Sequence, residues 1–141
     1  MTRRNIHDVV ADARSEIEEL TVEQLQAEMD AGTCLVIDIR DMRERLKLGV
    51  IPGSVSAPRG MLEFWFDPES PYHDEKYSDF DGRYVLHCAA GWRSAIAAKA
   101  IQDLGFTNVA HLEPGFAGWA DADAPVEDIS ATSPWMRRPK E

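Results

Sequence analysis

The stretch Cys88-Ala89-Ala90-Gly91-Trp92-Arg93-Ser94 carries residue types suited to a reaction site. An apolar run, Tyr84-Val85-Leu86, leads straight to the cysteine, and a helix-forming segment opens at Arg93. That order spells a parallel strand, a tight loop and a helix N-terminus, with a thiol as the first loop residue. Peptide N–H groups of such a loop point inward and favour an anion at its centre. Arg93 sets a positive charge at the helix start, which lowers a neighbouring thiol's pKa and favours the thiolate. Gly91 supplies a backbone conformation that other residues resist. A cysteine after a buried strand is also an ordinary small core residue. An arginine beside a sheet, however, calls for an anionic partner. Cys88 and Arg93 are therefore the catalytic candidates, and Ala89, Ala90, Gly91, Trp92 and Ser94 form the candidate substrate-binding loop.

The rest of the chain must position that loop. At 141 residues it is long enough for one domain with a real core. A net charge of −10 argues against non-specific nucleic-acid binding, which needs clustered positive charge. No apolar stretch approaches the roughly 18–20 residues of a membrane span. The basic N-terminus lacks the apolar core of a secretory signal. Two cysteines make no disulfide framework, and four scattered histidines without paired spacing support no metal site. No cofactor is expected, and the expected compartment is a reducing cytoplasm.

Ile6, Val9, Val10, Ala13 and Ile17 fall on one helical face, which predicts a helical extension over residues 1–19. It is either an added helix, which could mediate a homodimer of an otherwise monomeric chain, or a frayed arm. Thr21 and Gln24 then read as a capping box opening a helix that stops at Gly32. The run from Cys34 to Arg40 is apolar and β-branched, the pattern of a strand buried on both faces. A short polar helix follows Asp41, and Val55-Ser56-Ala57 is a short strand before Pro58. Residues 60–82 are the least regular stretch, with one apolar helical turn broken by Asp67-Pro68 and Ser70-Pro71. Residues 83–86 form the second strong strand, 93–104 a helix rich in small residues, 108–112 a short strand and 115–122 a last helix. Residues 129–141, with Pro134 and Pro139, read as a flexible tail. Strands alternating with helices predict an α/β fold with a mainly parallel sheet over residues 20–128. Ligands of such folds sit at the carboxyl ends of strands, where Cys88 lies.

Over residues 20–126 the chain resembles a single-domain rhodanese, a sulfurtransferase. The matching pieces are Val36-Ile37-Asp38-Ile39-Arg40, the turn over residues 49–54, the loop from Cys88 to Ser94, Gly105-Phe106-Thr107-Asn108-Val109, and Leu112-Glu113-Pro114-Gly115-Phe116-Ala117-Gly118-Trp119. The turn carries Val50 where the family commonly has His, at a position that is normally structural. The resemblance implies a three-layer rhodanese-like fold and a two-step exchange. Cys88 thiolate takes the outer sulfur of a small anionic donor such as thiosulfate. The resulting persulfide passes it to cyanide, a thiol or a protein acceptor. His87-Cys88 is similar to the His-Cys pair of cysteine phosphatases, but those have Cys-x5-Arg and this chain has Cys-x4-Arg. Within the superfamily the shorter loop goes with sulfur transfer, so His87 reads as a strand residue rather than a catalytic base. A fold-only interaction or sulfur-relay module is the competing reading.

Other candidates are weighed individually. Asp38 and Arg40 close the first strong strand, and either serve substrate electrostatics or brace each other as a buried pair. Arg59 is either a second anion-binding group or a solvent-exposed charge. Trp92 offers an aromatic surface at the pocket mouth if it turns outward; Phe64-Trp65-Phe66 could face it, although the two Phe residues and Trp119 read better as core. Cys34 opens its strand, ~20 Å from Arg40 at about 3.3 Å per residue. It therefore lies too far from Cys88 for a disulfide, which needs Cα atoms within about 7 Å.

Overall fold

The computed structural model describes residues 3–131; residues 132–141 of the expected tail lie outside the described residues. Within the described residues five parallel strands form one sheet in the order β1-β5-β4-β2-β3. They are β1 (Glu18–Leu20), β2 (Leu35–Asp38), β3 (Val55–Ser56), β4 (Tyr84–His87) and β5 (Val109–Leu112). Among the described residues six α-helices flank them: α1 (Ile6–Glu16), α2 (Val22–Ala31), α3 (Met42–Leu48), α4 (Leu62–Phe66), α5 (Trp92–Asp103) and α6 (Gly115–Asp121). The fold is α/β with helices on both faces, as the alternation of patterns predicts.

Successive side chains of a strand point to opposite faces, so β4 serves two cores at once. Leu86 and Cys88 face Leu62 and Phe66 of α4 and Ala97, Ala98 and Ile101 of α5. Val85 faces the other way, toward Leu25 of α2 and Phe116 and Trp119 of α6. Burial on both sides explains why β2 and β4 read as near-continuous apolar runs. The alanines of α5 let that helix lie close against the sheet. On the same side, Phe66 stacks on Tyr77 at 4.3 Å and meets Phe106 edge-on at 5.1 Å.

Three details go beyond the sequence reading. The helix expected over 1–19 ends at Glu16, and β1 spans the boundary expected after residue 19. Two of the three β1 residues are glutamates. No apolar alternation marks so short an edge strand, and pairing with β5 alone defines it. Second, α1 packs Val10 and Ala13 of its apolar face on Ala95 of α5, while Ile6 stays 53% exposed. Third, Phe64 is 51% exposed and meets Tyr72 edge-on, so it is not core. Phe66 and Trp119 are core as expected. The capping box of α2 forms as read, with Thr21 Oγ1 and Gln24 Oε1 each accepting the other's backbone N–H. Val50 is buried and pairs with Glu127 in an antiparallel bridge, a structural position.

Candidate active site

Cys88 sits just beyond the carboxyl end of β4, the central strand, and α5 begins four residues later. The loop between them is held by its carbonyls. Cys88 C=O accepts the Phe116 N–H at 2.8 Å, and Ala89 C=O accepts the Ala117 N–H at 3.0 Å. The start of α6 thus pins these carbonyls away from the sulfur and leaves the following N–H groups free to turn inward. Gly115 makes this approach possible, because a Cβ there would collide with the Ala89 backbone. Gly91 caps α5 at φ +89°, a left-handed conformation, and a Cβ on it would run into the Glu113 carbonyl. The motif Glu113-Pro114-Gly115-Phe116 therefore shapes the cysteine loop across the sheet.

The sulfur is buried, 1% exposed, within a ring of donors. Gly91 N–H donates to Cys88 Sγ at 3.2 Å and Ser94 N–H at 3.4 Å, and the Cys88 S–H donates in turn to Ser94 Oγ at 3.5 Å. Burial pushes the thiol pKa up, but the Ser94 hydroxyl and the N–H groups of Ser94, Ala90 and Gly91 outweigh it, and the net shift is downward. Such a site stabilises a sulfur anion and the developing charge of a group attacked by it. Trp92 is 45% exposed beside the loop and meets His7 of α1 edge-on at 5.1 Å.

Arg93 does not point a free charge at the sulfur. Its guanidinium donates twice to Glu44 of α3, at 2.9 and 3.0 Å. Glu44 raises the Arg93 pKa most, with a smaller attraction from Cys88. Arg59 likewise has a local partner, Glu63 at 2.5 Å one helical turn on. Asp38 and Arg40 form a fully buried pair: Arg40 Nε donates to Asp38 Oδ1 at 3.0 Å and Nη2 to Oδ2 at 2.8 Å. Arg45 adds a third contact, at 2.8 Å, and Arg40 covers the Phe116 ring at 4.1 Å. Burial raises the Asp38 carboxyl, but the Arg40 contacts hold it below the usual carboxylate range. His87 lies buried 3.7 Å from Asp38, and burial lowers its pKa, leaving it neutral.

The structure thus brings Cys88 and the loop together with Ser94. The Asp38–Arg40 pair is a separate brace on the opposite face, and Arg59 ends in its own ion pair. Cys34 lies at the amino end of β2, whose register with β4 sets Leu35 beside Tyr84 and Asp38 beside His87. Both cysteines are free. Sequence reasoning missed His111 and Glu19, which stand behind Ser94. A buried histidine in β5 was the only available signal. Among the described residues no group of three or more His, Cys, Asp or Glu could hold a metal ion, and no helix is long and apolar enough to cross a membrane.

This architecture recurs in known proteins. The chain is 29% identical over 104 residues to mouse thiosulfate sulfurtransferase/rhodanese-like domain-containing protein 3, covering 71% of this chain and 66% of that protein. It is 28% identical over 109 residues to thiosulfate sulfurtransferase GlpE of Haemophilus influenzae, covering 77% and 93% of the two chains. A Rhodopseudomonas palustris structure, described as a protein of unknown function and possible tyrosine phosphatase, is 46% identical with a TM-score of 0.85, covering 90% and 97%. The profile described as Rhodanese-like domain matches residues 21–122, and on that match the chain belongs to the rhodanese-like domain family.

Proposed function

We propose that the chain is a sulfurtransferase in which Cys88 carries sulfur as a persulfide. The observation that carries this reading is the buried Cys88 sulfur within a ring of N–H donors. The Cys88 thiolate attacks the outer sulfur of thiosulfate; a Cys88 S–S bond forms, the donor S–S bond breaks, and sulfite leaves. Cyanide or a thiolate then attacks the outer sulfur of the persulfide and returns Cys88 as thiolate. Dividing the transfer in two lets one cradle stabilise the thiolate, the donor and the persulfide anion in turn. Residues 89–92 and Ser94 line it, Arg93 assists once the donor competes with Glu44, and Asp38 and Arg40 support the neighbouring strand. Arg59 joins the anion site only if its Glu63 pair opens. Half-exposed Trp92 offers an apolar contact to a larger thiol or protein acceptor. The free thiol of Cys88 fits a reducing, cytoplasmic setting.

A phosphatase is the second reading, favoured by the description of the Rhodopseudomonas relative. The Cys-x4-Arg spacing stands against it, since a smaller ring of N–H groups suits one sulfur atom better than a tetrahedral phosphate. Steady-state assays on one preparation separate the two. Thiocyanate formation from thiosulfate and cyanide, without hydrolysis of p-nitrophenyl phosphate, is the expected result. Phosphate release without thiocyanate would reverse the assignment, and persulfide formation with poor turnover to cyanide would point to relay toward a dedicated acceptor.

A further inference from the structure

A chain of hydrogen bonds leaves the Cys88 sulfur and ends at the protein surface. Ser94 Oγ stands 3.5 Å from Cys88 Sγ and 2.8 Å from His111 Nδ1 of β5. His111 Nε2 is 2.9 Å from Glu19 Oε2 of β1. Arg14 of α1 donates to the same Glu19 oxygen at 2.8 Å and to Glu113 at 3.2 Å. Ser94 and His111 are fully buried, whereas the Glu19 and Arg14 side chains are 31% and 24% exposed. The path therefore runs from a buried thiol to water through groups that all exchange protons or hold those that do.

The donors and acceptors can be ordered. An ionised carboxylate only accepts, so Glu19 fixes the ring proton on His111 Nε2. Nδ1 then carries the lone pair and accepts the Ser94 O–H, which leaves Ser94 Oγ to accept the Cys88 S–H. We propose that Ser94, His111 and Glu19 form a proton relay for Cys88, with Arg14 of the N-terminal helix holding Glu19 in place. This rests on Cys88 as the sulfur-carrying nucleophile. In the first half-reaction the S–H bond breaks as a new Ser94 O–H bond forms, and the old Ser94 proton passes to His111 Nδ1. The Ser94 hydroxyl now donates to the thiolate, and the imidazolium faces the Glu19 carboxylate. In the second half-reaction the same protons return to the departing Cys88 thiolate, so the cycle ends on the thiol. Protons balance over the cycle with thiosulfate as donor and cyanide or a thiolate as acceptor. Ser94 touches the reacting sulfur; His111, Glu19 and Arg14 act through it as positioning residues.

The charged groups facing His111 are Glu19 from β1, Arg14 from α1 and Glu113 after β5. Burial lowers the His111 pKa, Glu19 opposes, Arg14 adds to the lowering and Glu113 opposes; the net shift is downward. A neutral, receptive imidazole is the result near neutral pH. The relay also gives the N-terminal helix a task beyond packing, since Arg14 reaches into the loop region and would be struck by a Cβ on Gly91.

The test is the pH profile of Cys88 alkylation by iodoacetamide in the full chain, resolved from Cys34 by peptide mass. Glu19→Gln keeps the shape and a hydrogen-bond acceptor but removes the charge that favours imidazolium. It should raise the alkylation midpoint by about one pH unit, roughly tenfold slower reaction below the midpoint. His111→Gln should shift it in the same direction, and Glu18→Gln, an equal charge change on the same strand, should not. Unchanged midpoints in folded Glu19→Gln and His111→Gln, checked by near-ultraviolet circular dichroism, would overturn the relay. Should His111→Gln fail to fold, the near-isosteric Glu19→Gln alone decides. Sulfur uptake from thiosulfate in the same samples reports separately on the proposed function. A shifted midpoint with no sulfur uptake keeps the relay as a thiol-activating device and removes the sulfurtransferase reading.

Discussion

At the carboxyl end of β2, Asp38 is enclosed by Arg40, Arg45 and His87. At the carboxyl end of β4, Cys88 is enclosed by peptide N–H groups and one hydroxyl. Both centres are buried, on adjacent strands and opposite faces. In the first, formal charges meet at 2.8 Å and saturate one another, and the arginines tie α3 and the turn after it to the sheet, as the Arg40 bond to Gly49 C=O shows. In the second, Arg93 is paired mainly with Glu44 and acts on the sulfur only as the smaller attraction, so peptide N–H groups make up most of the surroundings. The groups that surround it shift the thiol pKa downward against burial and so favour the anion. A closed ion cluster satisfies its own carboxylate, whereas a cradle of partial charges leaves room for an anion, which is the contrast the proposed function needs.

Substitutions should separate the two centres. The largest expected effect is on stability. Asp38→Asn leaves two buried guanidinium groups without their carboxylate and should cost about 3–5 kcal/mol of unfolding free energy in urea melts. Sulfur uptake below the melting transition should survive, and its selective loss would move Asp38 into the reaction site. Next, Gly91→Ala displaces one donor from the cradle and should slow persulfide formation by about 10²-fold in stopped-flow mixing. A rate near wild type would show the N–H ring to be dispensable.

The acid response should also split. Asp38 has a folded pKa below its unfolded value, so its contribution is present above about pH 4 and lost as pH falls through the folded value. His87 and His111 are lowered by burial, so the unfolded chain binds more protons below about pH 6.5 and stability falls with pH from there. Melting temperature should drop in two stages, with Asp38→Asn removing the lower one. A single transition unaffected by Asp38→Asn would contradict the cluster's role. The smallest effect belongs to Glu44→Gln, which frees Arg93. A half-exposed ion pair is worth at most about 1 kcal/mol, so KM for thiosulfate should fall only about two- to fivefold. A raised KM would mean that Glu44 positions Arg93 for the donor rather than competing with it.

The two regions also differ in how far they were legible in the chain. Cys88, Gly91 and Ser94 were readable because a loop between a strand and a helix is local, and residue types within one seven-residue stretch settle its chemistry. The buried strands were readable for the same reason, since β2 and β4 are continuous apolar runs. Partners were not. Arg93 meets Glu44, 49 residues away, and His111 meets Glu19, 92 residues away. Such pairs follow from sheet order, which alternation alone does not determine. Strand β1 was hidden because only Leu20 of its three residues is buried. Phe64 was misread because a five-residue helix, half exposed, offers too few turns to show which aromatic faces inward.

The most direct measurement is intact-protein mass before and after thiosulfate, beside Cys88→Ser. The account predicts the gain of one sulfur atom, removed by cyanide with thiocyanate released, and no gain in the variant. No gain in the wild-type chain, or equal gain in Cys88→Ser, would contradict it.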